Sequence, residues 1–449
     1  MTSSRLGPAP TAPPSDPDPS ALRNPGFRLL LGAAVASKLG TAVSSLAIPL
    51  TALLALHSSP GQVGLLAMLS TLAFLLIGLP AGAWVDRIRK RPTMIAADLA
   101  RAALLGSVPL AWLFDRLTLP QLYAVVLLSG AATVFFDVAA LSQLPGLVGR
   151  NRLTEANAHL VTVDALTQIG GRSAGGFLVA ALSAPVVIVV DMASYLVSAL
   201  LLLRIRRPEP SPRERRDGRL GGQLGGQLGG QLGGRLGGQL GGEIREGLRF
   251  VFGHPVLRAV ALAGAGTNLS IQLYQTMLPV LFVDELGLSA GAVGLFFAVG
   301  GLGVFIGSVA ARRLAHRFGA GRLLWLMGLA VAPCGVLPAL AGRGAALWLA
   351  TGAWLVITCK IGIDNVITVS FRQSVTPDHL LGRMNATMRV LLTGSLALGA
   401  ALAGLLAELA SARTTLWLAT AVLATVWVPV FRSPLRTRRE LPGPAATHR

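Results

Sequence analysis

Charge is scarce in this sequence: Asp, Glu, Lys and Arg make up 13% of its 449 residues, about half the share usual in water-soluble domains. Lysine is scarcer still, present only as Lys38, Lys90 and Lys360. Cysteine occurs twice, at Cys334 and Cys359, each inside an apolar run and without metal-ligand spacing, so neither a disulfide framework nor a thiolate metal site is expected. There is no GxxxxGK[ST] phosphate loop, and His57, His159, His254, His316 and His379 are scattered rather than clustered with carboxylates. These absences disfavour ATP as an energy source and an enzymatic role, and no cofactor or metal is expected. The first 26 residues, rich in Pro and Ser, lack the apolar core of a secretory signal and read as a disordered cytoplasmic tail.

Hydrophobic residues supply 53% of the chain, and they come in runs of bilayer-spanning length, roughly 20 residues each. Six lie at 27–56, 61–84, 93–114, 120–144, 158–182 and 185–203, and six more at 256–283, 289–311, 323–341, 345–371, 384–407 and 414–431. The expected fold is therefore an all-α membrane protein of twelve transmembrane helices, in two six-helix bundles at 27–203 and 251–431. The formal net charge of +19 does not indicate a nucleic-acid partner, because the basic residues sit in short clusters between apolar runs rather than along one face. Their distribution sets the orientation instead. With the N-terminus inside, the cytoplasmic connections collect Arg87 to Arg91, Arg150, Arg152, the 204–250 segment, Arg312, Arg313, Arg317, Arg322, Arg372, Arg383 and the 432–449 tail. The outer connections keep only Arg116, Arg343 and Arg413. Both termini are expected in the cytoplasm, in the cell (cytoplasmic) membrane.

The segment 204–250 contains a Leu-Gly-Gly-polar repeat over 220–242. Half glycine, it is expected to hold little stable structure and to link the halves as a flexible cytoplasmic coil.

The halves carry matching landmarks. Pro49 matches Pro279, Gly82 matches Gly307, Asp137 matches Asp364, and "LTEANA" from Leu153 matches "LGRMNA" from Leu381, at separations of 230, 225, 227 and 228 residues. Four landmarks at nearly one offset imply a duplication, the parallel-repeat architecture of transporters that bind substrate between rocking halves.

The stretch "GAWVDRIRKRP" then resembles the loop motif of the major facilitator superfamily between its second and third spans, with a degenerate second copy in "GSVAARRLAHR". In the fifth span "GRSAGG" resembles that family's antiporter motif through Gly171, Gly175 and Gly176, with Arg172 where the family usually has Pro. The basic motif often found in the fourth span is missing. "DLARAALL", "LPGLVGRNRLTEANA" and "DMASYLVSALLL" look like the branch holding macrolide-efflux proteins and enterobactin exporters. The resemblance implies that spans one, four, seven and ten line a central cavity, placing Lys38, Asp137, Lys360 and Asp364 there. It also implies that Asp86 latches the halves on the cytoplasmic side, in a gate motif of Gly82, Asp86, Arg87 and Arg91, with Gly82 allowing close approach.

A charge at the bilayer centre costs at least about 2.5–3.5 kcal/mol on insertion scales, so each such group needs a partner or a wet cavity. Helix rise puts Lys38, Asp137, Lys360 and Asp364 roughly 12 to 18 Å deep, and Lys360 and Asp364 are four apart on one helix. Two readings stand: carboxylates that exchange protons against competing lysines, or permanent salt bridges. Asp98 with Arg101, and Arg172 with Asp191, read as structural ion pairs. Asn268, Gln272 and Gln275 recur at helical spacing in the seventh span and suit a substrate-cavity wall or interhelical hydrogen bonding. The expected function is proton-coupled export of a small amphipathic molecule such as a drug, secondary metabolite or siderophore, by a monomer embedded in the lipid bilayer, with substrate and protons as partners. The alternatives are uptake or lipid flipping on the same scaffold, and a non-transporting receptor.

Overall fold

The computed structural model describes residues 20–85, 88–149, 152–205, 236–377 and 380–437. Among them there is helix and no strand. Six long helices come first: α1 (Pro25–Leu56), α2 (Pro60–Val85), α3 (Lys90–Leu113), α4 (Leu119–Val148), α5 (Leu153–Leu182) and α6 (Ala184–Leu203). The second series runs α7 (Leu236–Gly253), α8 (Pro255–Val280), α9 (Ala290–Phe318), α10 (Ala320–Val331), the short α11 (Val336–Ala339), α12 (Ala345–Val375), α13 (Leu381–Leu409), α14 (Ala412–Thr425) and α15 (Val428–Phe431).

Local chemistry sets the boundaries. Asn24 caps α1 by accepting from the amides of Gly26 (2.9 Å) and Phe27 (3.3 Å), with Pro25 in the first turn where its missing N–H is harmless. Near Pro333 the helix of the third span in the second half breaks between α10 and α11. Inside a bilayer a carbonyl at such a break needs another donor. Gly335 receives two, from the Tyr274 hydroxyl (2.7 Å) and from Thr420 Oγ1 (2.9 Å).

Ten helical segments among the described residues are long and apolar enough to cross a bilayer, and α8 adds an eleventh when joined to α7, from which it bends by 102°. The sequence reading of twelve also counts α5. At 30 residues α5 is long enough, but Glu155, Asp164 and Arg172 make it less apolar. The 204–250 linker differs from expectation as well. It is helical from Leu236, and α7 packs on α13, where Glu246 Oε1 lies 2.7 Å from Arg383 Nη1 and Gly247 abuts Thr387. Tertiary contact outweighs the poor helix propensity of glycine there.

α2 packs on α13, and α5 packs on α9. By the repeat offset, α9 corresponds to α2 and α13 to α5, so these two interfaces are copies of each other. Each contains a point of backbone contact. A Cβ on Gly64 would lie 2.2 Å from Gly404 Cα, and one on Gly176 would lie 2.2 Å from Gly294 Cα. Gly64 and Gly294 are 230 apart, and Gly176 and Gly404 are 228 apart, matching the duplication. Both contacts lie at the end of the molecule opposite the start of α1. At that end Glu408 Oε2, on α13, also accepts from Ser59 Oγ (2.8 Å) and from the Gly61 amide at the start of α2 (2.9 Å), joining the halves.

Candidate functional site

Between the closed end and the end bearing the start of α1 lies a cavity of about 410 Å³. Its polar wall comes from hydroxyl residues on α1, α2 and α4, including Ser45, Thr71 and Thr133, and from Gln272 and Gln275 of α8. Pro49 lines it on α1. The volume falls in the range of small-molecule sites, about 300–1,000 Å³.

One turn from Thr41 toward the start of α1, three charged side chains meet. Lys38 Nζ lies 3.1 Å from Asp164 Oδ1 and 3.8 Å from Asp137 Oδ1, joining α1 to α5 and α4. The side chains are 38%, 44% and 30% exposed, so the cluster faces open space although it lies about 17–20 Å along each helix from the near end. The sequence reading paired Lys38 with Asp137 and overlooked Asp164. The signal was available: Asp164 is an acid as far from its helix start as Asp137 is from its helix end.

Lys360 and Asp364 pair one turn apart on α12, and Lys360 also donates to Thr267 Oγ1 at 3.1 Å. Lys360 is only 3% exposed. The two residues line a separate cavity of about 90 Å³ within the second half, and Lys38 and Asp137 lie beside the 410 Å³ cavity rather than in its wall, which corrects the expectation that all four share one central cavity. The duplication gave the two copies one position but not one neighbourhood. Asn268 takes the second of its two expected roles, interhelical hydrogen bonding: its amide donates to Leu392 O on α13 at 3.0 Å, and it lines the smaller cavity rather than the central one. Gln272 and Gln275 do reach the central one.

Asp98 and Arg101 are brought together on α3 and are fully buried. Arg101 also lies over the rings of Tyr195 (4.1 Å) and Phe136 (4.7 Å). Asp191 lines the central cavity, buried against Gly40, with Ser194 Oγ at 3.3 Å. Its expected partner Arg172 has a side chain outside the described residues.

The antiporter-like glycines are contact points. Gly171 and Gly175 seat α5 on Ala42 and Val43 of α1, and Gly176 seats it on α9. Of the expected gate, Asp86, Arg87 and the surroundings of Gly82 lie outside the described residues. Arg91 donates to Leu202 O (2.9 Å) and Leu203 O (2.6 Å) at the end of α6. Cations suit those orphan carbonyls. Lys90 does the same for α2 through Val85 O (2.6 Å).

A second omission is Arg389 on α13. Its guanidinium lies 4.3 Å from the ring centroid of Phe74 on α2, across the junction of the halves.

Two repeated helical bundles enclosing a cavity of mixed polar and apolar wall, closed at one end, are the build of a membrane transporter. The family model of the Major Facilitator Superfamily matches residues 30–391, and the chain belongs to that superfamily. It is 26% identical over 394 residues to the enterobactin exporter EntS of Escherichia coli O1:K1 / APEC, covering 85% of each chain. It is 28% identical over 426 residues to the multidrug efflux pump Tap of Mycolicibacterium fortuitum, covering 91% of this chain and 96% of Tap. In fold it is similar to a bacterial homologue of the iron transporter ferroportin in its inward-facing state, with a TM-score of 0.70 at 16% identity, covering 94% of this chain and all of the other.

Proposed function

We propose that this transporter exports a small amphipathic molecule from the cytoplasm in exchange for protons. The twelve spans have both termini inside, and the Gly64–Gly404 and Gly176–Gly294 contacts close the outer end. The exporter and efflux-pump relatives support the direction. The observation that carries the coupling is the sharing of Lys38 by Asp137 and Asp164. One cation facing two carboxylates leaves one acid in surplus, which binds or releases a proton without stranding the lysine. Such a group also senses the gate. A carboxylate withdrawn from water favours its protonated form, and one beside water and an ammonium favours the ionised form. Opening and closing of the cytoplasmic side changes the water around this surplus acid, and that change couples proton exchange to the motion. The Lys360–Asp364 pair is self-contained and acts as a fixed brace in the second half.

The test uses everted vesicles energised by a proton gradient and a fluorescent amphipathic dye. Asp137→Asn and Asp164→Asn should each lower gradient-driven dye accumulation by about tenfold, the effect of some 1.4 kcal/mol on the limiting step. Asp364→Asn should lower it less. Undiminished accumulation in both cluster variants would overturn the coupling.

A further inference from the structure

The central cavity has a neighbour. A crevice of about 280 Å³ runs between α2 and α13, lined by Phe74, Leu75 and Gly78 on one side and by Asn385, Arg389 and Val390, among others, on the other. Phe74 lines this crevice and also the 410 Å³ cavity, where its nearest polar companions on α2 are Ser70 and Thr71. Its ring borders both spaces. The Arg389 guanidinium holds the ring from the far helix, and among the described residues Arg389 makes no ion pair or hydrogen bond. The neighbouring face of α2 meets acyl chains, with Leu76 61% exposed.

A charged side chain placed about 12 Å along α13, where two helices part, calls for a purpose. We propose that the α2–α13 crevice is the route by which substrate passes from the cytoplasmic leaflet into the central cavity, and that Phe74, pinned by Arg389, is its gate. This rests on the proposed orientation and export function. The substrate class that fits is a bilayer-partitioned amphipath with an acceptor-bearing head. Its apolar body lies along Leu75 and Val390 while the head meets Arg389. A head group that offers the guanidinium hydrogen-bond acceptors competes with the aromatic face, frees the ring and opens the passage. Water-soluble molecules without an apolar body have no such path.

The test reads access rather than transport, so its failure is distinguishable from failure of the export assignment. In a Cys334→Ala/Cys359→Ala background, Ser70→Cys is a reporter on the cavity side of Phe74, and the protein is placed in lipid vesicles. It is labelled with an uncharged, bilayer-partitioning maleimide or with an anionic, membrane-impermeant one. Arg389→Gln should speed the bilayer reagent roughly two- to fivefold, the population change expected from losing an exposed cation–π contact. Phe74→Ala should speed it further and Phe74→Trp should slow it, while the aqueous reagent keeps its rate in all three. Phe74→Leu repeats the test with a smaller truncation if the alanine variant does not fold. Equal acceleration of both reagents, or no response of the bilayer reagent to any Phe74 substitution, overturns the gate.

Discussion

Arg101 illustrates how a single charge is made tolerable inside a bilayer. It is 1% exposed, paired with Asp98 one turn back and sandwiched against Tyr195 and Phe136. Removing one partner of such a pair strands the other, at about 3–5 kcal/mol. Arg101→Met should therefore lower the melting temperature of the detergent-solubilised protein markedly, and adding Asp98→Asn should restore most of it. This pair was legible in the sequence because its geometry is local: residues three apart on a helix meet whatever the rest of the fold does. The partners of Asp164 and Arg389 were not, although each residue lies within an expected span and the depth of Asp164 matches that of Asp137. Only the approach of α5 to α1, and of α13 to α2, gives them partners. Lys360 failed in the opposite direction, since its place in the tenth span suggested the central cavity, whereas it donates to Thr267 and lines the smaller cavity of the second half.

Elements were easier to read than their contacts. The apolar runs fixed the long helices because a bilayer permits little else. The break at Pro333 and the helix α7 escaped, the first because Tyr274 and Thr420 supply distant donors, the second because α13 supports a glycine-rich strip. The contacts that matter most use residues with no side chain to reveal them. Gly64→Ala should place a methyl group 2.2 Å from Gly404 Cα, forcing the helices apart there by about 1–2 Å from their packed separation. Pulsed EPR between spin labels on residues 58 and 411 should report a longer distance, with each half still folded because the packing within halves is untouched.

At the scale of the whole molecule the two copies are alike in backbone and unlike in chemistry. Glu408 of the second half caps the start of α2. The repeat offset carries Glu408 to Ala180 and Gly61 to Gly291, and a Cβ on Gly291 would indeed meet Ala180 Cβ at 3.3 Å. One interface thus has a charged latch where its copy has two small apolar residues. A carboxylate at an exposed helix N-terminus contributes about 0.3–1 kcal/mol. Glu408→Gln should shift the balance between the two access states by up to about fivefold toward opening at that end, read by single-molecule fluorescence between the halves; no shift assigns the closure to the glycine contacts alone.

Those glycine contacts carry one more consequence. A proton crosses a protein by hopping along a hydrogen-bonded file of waters, and helix backbones in direct touch leave no channel for such a file. At those two seams the halves are thus tight to a proton-carrying file of waters as well as to any cargo, and neither seam is a leak between them.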